Sequence, residues 1–328
     1  MNSTLIFEDY IKPHSEGNSL HFSILQPDLK YFSHESGLIT YALKFGQTLV
    51  LGDPIFSSSL ESDRIEFLNC FISEFPDSAF VQTSKYFAKF LHTNFGFFGT
   101  RIGTERLISL QTWSLCGKRK QTIRTACNQA LKRDIVIREN PYEDNFEEVS
   151  TDWLSTRTVK SREISFLVRK FPYYENKTRK FCAYQNDKLI AFIVFDPIYV
   201  DAKCIGYIPN ISRASESFRQ GAFYAIMAEA INRFRIEGKQ FINLGLSPLH
   251  ISGYSESFES KPFLRLLKLI RNYSPQLYNY SGIEHAKSRF FDPKRLQEDG
   301  EENSMFLSHN SKLPLIKLLA IFRASNVI

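Results

Sequence analysis

Twice along this chain, strand-patterned apolar runs alternate with stretches whose apolar residues recur every three or four positions, and that alternation restricts the fold more than any other feature. In YALKFGQTLVLGDPI (41–55), alternating and then continuous apolar residues end at Gly52-Asp53-Pro54, a strand running into a turn. SSSLESDRIEFLNCFISEF follows, with serines placed to cap a helix and Ile65, Leu68, Phe71, Ile72 and Phe75 at helical spacing. AFVQTS reads as a strand, KYFAKFLHTNFGF as a helix and RLISLQTW as a strand. In the second half, FCAYQNDKLIAFIVFDPIYV (181–200) reads as a hairpin turning at Asn186-Asp187, and KCIGYIPNIS as a further strand. FRQGAFYAIMAEAINRFRIEG is a long amphipathic helix closed by Gly238, and KQFINLGLSPL a strand entering a Gly/Pro turn. Two such halves predict an α/β (α+β) fold of two related domains, 1–135 and 136–328, with the acidic, turn-rich RENPYEDNFEEVS (138–150) at the junction.

Length and composition set the outer limits. The 328 residues suffice for one large or two ordinary cores, and 43% hydrophobic against 23% charged residues is the balance of a folded globular chain. The net charge of +6 permits an anionic partner without requiring one. Five cysteines without a CxxC pair argue against a disulfide framework and a zinc site, and for a reducing compartment. The N-terminus lacks the layout of a signal peptide, and no apolar run approaches the roughly 20 residues that span a bilayer. No GxxxxGK[ST], HExxH or metal-ligand cluster is present.

The stretch SLCGKRKQTIRTACNQALKRDI (114–135) holds six lysines and arginines between Gly117 and Arg133 and no acid. Ile123, Ala126, Cys127, Ala130 and Leu131 form one apolar stripe along it. Basic residues lie mostly opposite, either as a solvated face or as a surface for something negative.

LVLGDPI, TRIGTERLISL, SLCGKRKQTIR, Trp153-Leu154, FINLGLSPL and YNYSGIEHAKSRFFDP follow one another in an order that resembles the soluble C-terminal domain of the bacterial phosphatidylglycerol lysyltransferases, over about residues 36–295. The resemblance implies two tandem GNAT-like folds joined by a basic helix. It implies transfer of an aminoacyl group from aminoacyl-tRNA to a hydroxyl of phosphatidylglycerol, with no cofactor beyond that donor. Full-length lysyltransferases also carry a membrane domain that this chain does not show, so it is read as a stand-alone cytoplasmic member, at most peripheral at the inner membrane face. Where the family has Asp-Leu-Met-Arg entering the loop before the long helix, this chain has Asn210-Ile211-Ser212-Arg213, which puts selection of a cationic aminoacyl group in question. It also departs from the family at His285-Ala286 and in FLVRKF (166–171), while Lys287, Arg289 and Phe290 match.

On this reading Arg213 stabilises phosphate or developing negative charge and Asn210 orients the aminoacyl amine. The bland alternative pairs Arg213 with a neighbouring acid. Asn243 and Gly245 sit where a strand meets a turn, and Gly245 is as well explained by a φ > 0 requirement. Asn279, Lys287 and Arg289 form a polar set in an aromatic frame, suited to a phosphate or to a solvated basic edge. Asp53 reads as a turn-former before a catalytic base. The resemblance assigns Lys118, Lys120, Arg124, Lys132 and Arg133 to tRNA. KPFLRLLKLIRNY (261–273) and LPLIKLLAIF (313–322) are cationic amphipathic segments, the second a candidate for an anionic lipid surface. Two alternatives stay open: a GNAT-type N-acyltransferase using acetyl-CoA or another acyl-CoA on a small amine, although FRQGAF departs from the pyrophosphate-cradling pattern, and an inactive GNAT-like module that binds anionic lipid or RNA.

Overall fold

The computed structural model describes residues 3–139, 146–155, 165–169, 177–218, 221–251, 253–273 and 280–326. The chain opens with short helical pieces, α1 (Ser3–Ile6), a π-helical turn (Phe7–Ile11), α2 (Lys12–His14) and a 3-10 turn (Phe22–Leu25). Then come β1 (Lys30–His34), β2 (Gly37–Lys44), β3 (Gln47–Leu51), β4 (Ile55–Phe56), α3 (Glu61–Glu74), β5 (Ser78–Thr83), α4 (Lys85–Phe95) and β6 (Phe98–Ser109). The basic stretch forms α5 (Gln121–Lys132), followed by β7 (Val136–Glu139) and α6 (Phe146–Ser155). The second half continues with β8 (Arg179–Gln185), β9 (Lys188–Val200), β10 (Lys203–Ala214), α7 (Ala222–Ile236) and β11 (Phe241–Pro248). It ends with α8 (Lys261–Tyr273), α9 (Tyr280–Ser288), α10 (Leu296–Asp299), β12 (Gly300–His309) and α11 (Leu315–Ala324). The hairpin predicted at Asn186-Asp187 is present: both residues have positive φ (50° and 59°) between the paired Gln185 and Lys188, the geometry of a two-residue type I′ turn.

All strands join one sheet in the order β1-β2-β3-β5-β12-β6-β11-β10-β9-β8-β7, with β4 against β2. Among the described residues only β3/β5 and β10/β11 pair in parallel. The two halves are not consecutive along the chain. β12 lies between β5 and β6, antiparallel to both, and β11 pairs with β6. A division after residue 135 therefore runs through the first half of the sheet, because β12, from beyond it, is built into that half.

Helices cover both faces, and alternation along the strands feeds both cores. Val50 and Phe80 join the phenylalanine-rich core under α3 and α4, with Phe67, Phe71 and Phe87. Leu49, Leu51, Ala79 and Val81 point into the opposite core with the N-terminal helical pieces, α8 and α11. In the second half Phe181, Ala183, Ile193 and Phe195 face α5 and α7, while Cys182, Tyr184, Phe192 and Val194 face α6.

The basic helix packs Ile123, Ala126 and Ala130 against α7, and the two alanines let the helices approach closely. It thus belongs to the layer over the second half of the sheet, though it lies between the halves in sequence. Leu131, expected in the apolar stripe, is 74% exposed. No helix among the described residues is long and apolar enough to cross a membrane.

Candidate active site

The parallel ladder between β10 and β11 consists of Gly206–Phe241 and Tyr207–Ile242 and then stops, although the strands run on to Ala214 and Pro248. Past that point β10 pairs only with β9 and β11 only with β6. The sheet splits there, beyond the C-terminal side of a parallel pair, where α/β sheets commonly take ligands. Asn210 and Arg213 lie on the β10 wall of the opening, Asn243 and Gly245 on the β11 wall.

On β11, Gly245 adopts φ 73° and its N–H donates to Asn243 Oδ1 at 2.8 Å, closing a local turn. The turn makes a bulge, since Asn243 faces Leu107 and Leu246 faces Glu105 across β6. A Cβ on residue 245 would lie 3.5 Å from Ile208 and 3.6 Å from Lys287 Nζ, so the glycine answers a backbone requirement rather than a lack of space.

The Asn243 amide donates to Glu105 Oε2 at 2.6 Å. Glu105 Oε1 accepts from Ser19 Oγ (2.8 Å) and Gln82 Nε2 (2.7 Å), so this buried carboxylate is held from β5, β11 and the connection before the 3-10 turn. Lys287 on α9 donates to the Leu246 carbonyl at 2.6 Å. Burial pushes its ammonium down to about 7, Glu105 opposes that fall, and Arg106 adds to it. Arg106 pairs with Glu302 of β12 (2.7 Å) and Glu284 of α9 (3.3 Å), tying the helix that carries Lys287 to the sheet. Nearby, the Asp53 carboxylate accepts from the Ser84 N–H at 2.9 Å at the start of α4. Burial raises it to about 6 against the Ser84 hydrogen bonds, with the charge of Glu105 adding to the rise.

On the opposite wall, residues 210–213 lie within β10, the strand expected over 203–212 running on to Ala214. Local pairing with β9 accounts for it, Ile211 with Val194 and Arg213 with Phe192. The Asn210 amide donates to Asp196 at 2.8 Å, and Asp196 is in turn held by Arg169, both fully buried. The Arg213 guanidinium lies 3.8 Å from the Trp153 ring centre and donates to the Ser212 carbonyl at 2.9 Å.

Lys118, Arg119, Gln121, Thr122 and Thr125 of the basic stretch line, together with Arg289, an open depression with a volume of about 520 Å³. Two residues first placed on this surface point elsewhere. Lys120 is fully buried, paired with Asp299 and 4.8 Å from the Trp113 ring centre. Arg124 donates to the Leu115 and Gly117 carbonyls and braces the turn before α5. Lys132 and Arg133 are exposed at the far end of the helix. Asn279 lies outside the described residues. The structure thus brings Asn243, Gly245 and Lys287 together, sets Asn210 and Arg213 across the opening, and gathers Lys118 with Arg289.

Sequence reasoning passed over Glu105, Gln82 and Ser19. The available signal was a Glu-Arg pair inside the otherwise strand-patterned TRIGTERLISL.

The family model described as phosphatidylglycerol lysyltransferase, C-terminal, matches residues 8–298. The chain is 25% identical over 289 residues to a phosphatidylglycerol lysyltransferase of Staphylococcus haemolyticus (strain JCSC1435), covering 84% of this chain and 33% of that protein. It thus spans about a third of the length of that relative. L-PGS from Bacillus licheniformis superposes with a TM-score of 0.75 at 19% identity, covering 99% of this chain and 96% of the other. The C-terminal domain of a candidate lysylphosphatidylglycerol synthetase from Agrobacterium fabrum gives 0.76 at 16% identity, with 100% and 97% covered. These solved structures share the mixed α/β fold.

Proposed function

This chain belongs to the family of phosphatidylglycerol lysyltransferase C-terminal domains, and on that premise we propose that it moves an aminoacyl group from aminoacyl-tRNA to a hydroxyl of an anionic lipid headgroup such as phosphatidylglycerol. The observation that carries the reading is the place of Lys287, whose side chain donates to the Leu246 carbonyl at 2.6 Å beside Gly245 and the split between β10 and β11, where burial pushes its ammonium down to about 7. In the proposed step the headgroup oxygen bonds to the aminoacyl carbonyl carbon. The neutral Lys287 amine takes the hydroxyl proton, and the ester bond to the ribose breaks. The ribose oxygen leaves with the proton that Lys287 returns. The ester is already activated, so positioning supplies most of what remains.

Arg213, stacked on Trp153, is suited to a phosphate or the developing oxyanion. Asn210 spends its amide N–H on Asp196 and keeps a carbonyl oxygen for the aminoacyl ammonium. The depression lined by Lys118 and Arg289 fits the phosphates of the tRNA acceptor end. A CoA-dependent transfer has less support. The Phe218 ring lies where a Cβ on Gly221 would be 2.7 Å away, against the α7 N-terminus that a pyrophosphate would need open.

The test is to incubate the protein with phosphatidylglycerol vesicles and a panel of labelled aminoacyl-tRNAs and to count label in the lipid phase. At least one aminoacyl-tRNA is expected to label lipid. The base form of Lys287 grows as pH rises through about 7, so the rate should climb across that range and level off above it. Lys287→Arg, charged throughout, should lower the rate on the order of 100-fold and abolish the climb. Lipid left unlabelled by every aminoacyl-tRNA would overturn the proposal.

A further inference from the structure

The helix α11 carries apolar residues on both faces and buries a lysine on its inner one. Its inward stripe is Lys317, Ala320, Ile321 and Ala324, and its outward face carries Leu315, Ile316 and Leu319, with Ile316 61% exposed. Lys317 is held inside by the Gln47 side chain at 3.0 Å and the Asp77 carbonyl at 2.7 Å, which clamps the helix against the start of β3 with its leucines outward.

The same clamp sets α11 beside the turn between β2 and β3. Phe45 and Gly46 form that turn with φ 51° and 71°, between the paired Lys44 and Gln47. Asn or Gly usually fills the first position of such a turn, and a bulky residue pays in strain there. Here it is a phenylalanine, 59% exposed, next to the exposed Leu43. Two local rules are thus broken side by side, and both breaks put apolar surface into solvent.

Cations flank this surface. Ser260 donates from its hydroxyl to the Lys312 carbonyl, seating the start of α8 beside the start of α11. Phe263 and Leu267 of α8 share a core with Ala320 and Ile321, so both helices lie in one layer. Lys261, Arg265 and Lys268 are exposed on α8, and Lys44 and Lys312 adjoin the leucines, with the acid Asp77 acting on Lys317 from the other side.

We propose that α11 and the β2–β3 turn dock onto an anionic lipid bilayer. Single exposed leucines are ordinary, but an apolar group flanked by five cations is the pattern of an interfacial anchor. The bilayer takes the aliphatic side chains and Phe45 into the headgroup boundary while the lysines meet its negative surface. A second copy on the same face would bring like charges together. The choice of lipid rests in part on the proposed lipid acceptor.

The experiment is flotation with vesicles containing phosphatidylglycerol in phosphatidylcholine, against phosphatidylcholine alone. Binding to the anionic vesicles is expected, weakening with salt. The double variant Ile316→Asp/Leu319→Asp should lower the partition constant at least tenfold with an unchanged circular dichroism spectrum. Lys261→Gln/Arg265→Gln/Lys268→Gln should remove most of the preference for anionic vesicles. Absence of binding by the parent protein, or equal binding by the aspartate variant, would overturn the proposal. Self-association that the aspartate variant loses, without vesicle binding, would overturn it in favour of a second copy. Flotation requires no catalysis, so transfer to a short-chain phosphatidylglycerol in free solution separates the two readings. Transfer without flotation sinks the docking surface alone, and flotation without transfer sinks the proposed activity alone.

Discussion

Lys118 and Lys120 stand two positions apart and have opposite surroundings. Lys118 is exposed on the rim of the basic depression, whereas Lys120 is buried against Asp299, whose other oxygen accepts from the Asp292 N–H at 2.7 Å. Removing one partner of a buried pair leaves the other charge unmatched, so Lys120→Gln should cost roughly 3–5 kcal/mol in urea unfolding. Lys118→Gln should change stability by no more than about 0.5 kcal/mol. It should instead lower the salt slope of tRNA binding by about one. Equal stability of the two variants would show that the Lys120–Asp299 pair contributes nothing. Asn210 repeats the lesson on β10. Its amide donates to the Asp196 carboxylate, so Asp at that position would set two carboxylates against each other unless one were protonated.

The bulge on β11 is the smallest element on which the site depends. Gly245 and Gly238 both have φ 73°, so alanine at either pays a similar backbone cost, about 1–2 kcal/mol. Only Gly245 adjoins Lys287, while a Cβ on Gly238 meets nothing within 4 Å. Gly245→Ala should therefore lower lipid labelling at least tenfold and Gly238→Ala should leave it unchanged, with similar losses in melting temperature. Elements with strong local periodicity were legible in the sequence: α3, β5, α4 and β6, the β8–β9 hairpin, α7 with its glycine end, and the turn at Gly245, whereas the single strand expected over 41–55 is instead β2 and β3 folded back at Phe45-Gly46, with β4 beyond them. Elements defined by distant partners were not. GEENSMFLSH carries little apolar alternation in its first five residues, yet it forms β12, because Glu302 meets Arg106 and the rest of the strand fills a gap between β5 and β6. Lys120, assigned to tRNA, and Lys317, in the segment offered to a lipid surface, are buried instead, because nothing nearby in sequence announces Asp299 or the Gln47 and Asp77 acceptors. Glu105 was hidden for the same reason, its three donors coming from residues 19, 82 and 243.

At the scale of the whole molecule, the sheet is knitted from both ends of the chain. A fragment ending at residue 135 lacks β11 and β12, and its β5 and β6 keep edges that should be paired. Expressed alone, residues 1–135 should give no cooperative thermal transition by circular dichroism. Coexpressed with residues 136–328 they should recover one, and a sharp transition from the first fragment alone would show the first half to be self-sufficient. The place of β12 also sets a schedule for synthesis. A ribosome delivers β6 about 190 residues before β12, and at about 5–20 residues per second the nascent chain waits roughly 10–40 s with that slot empty. During this interval two open strand edges and the phenylalanine-rich core beside them are available to other nascent chains. Yield in the cell should therefore depend on the chaperones that shield them during translation more than on the stability of the finished protein.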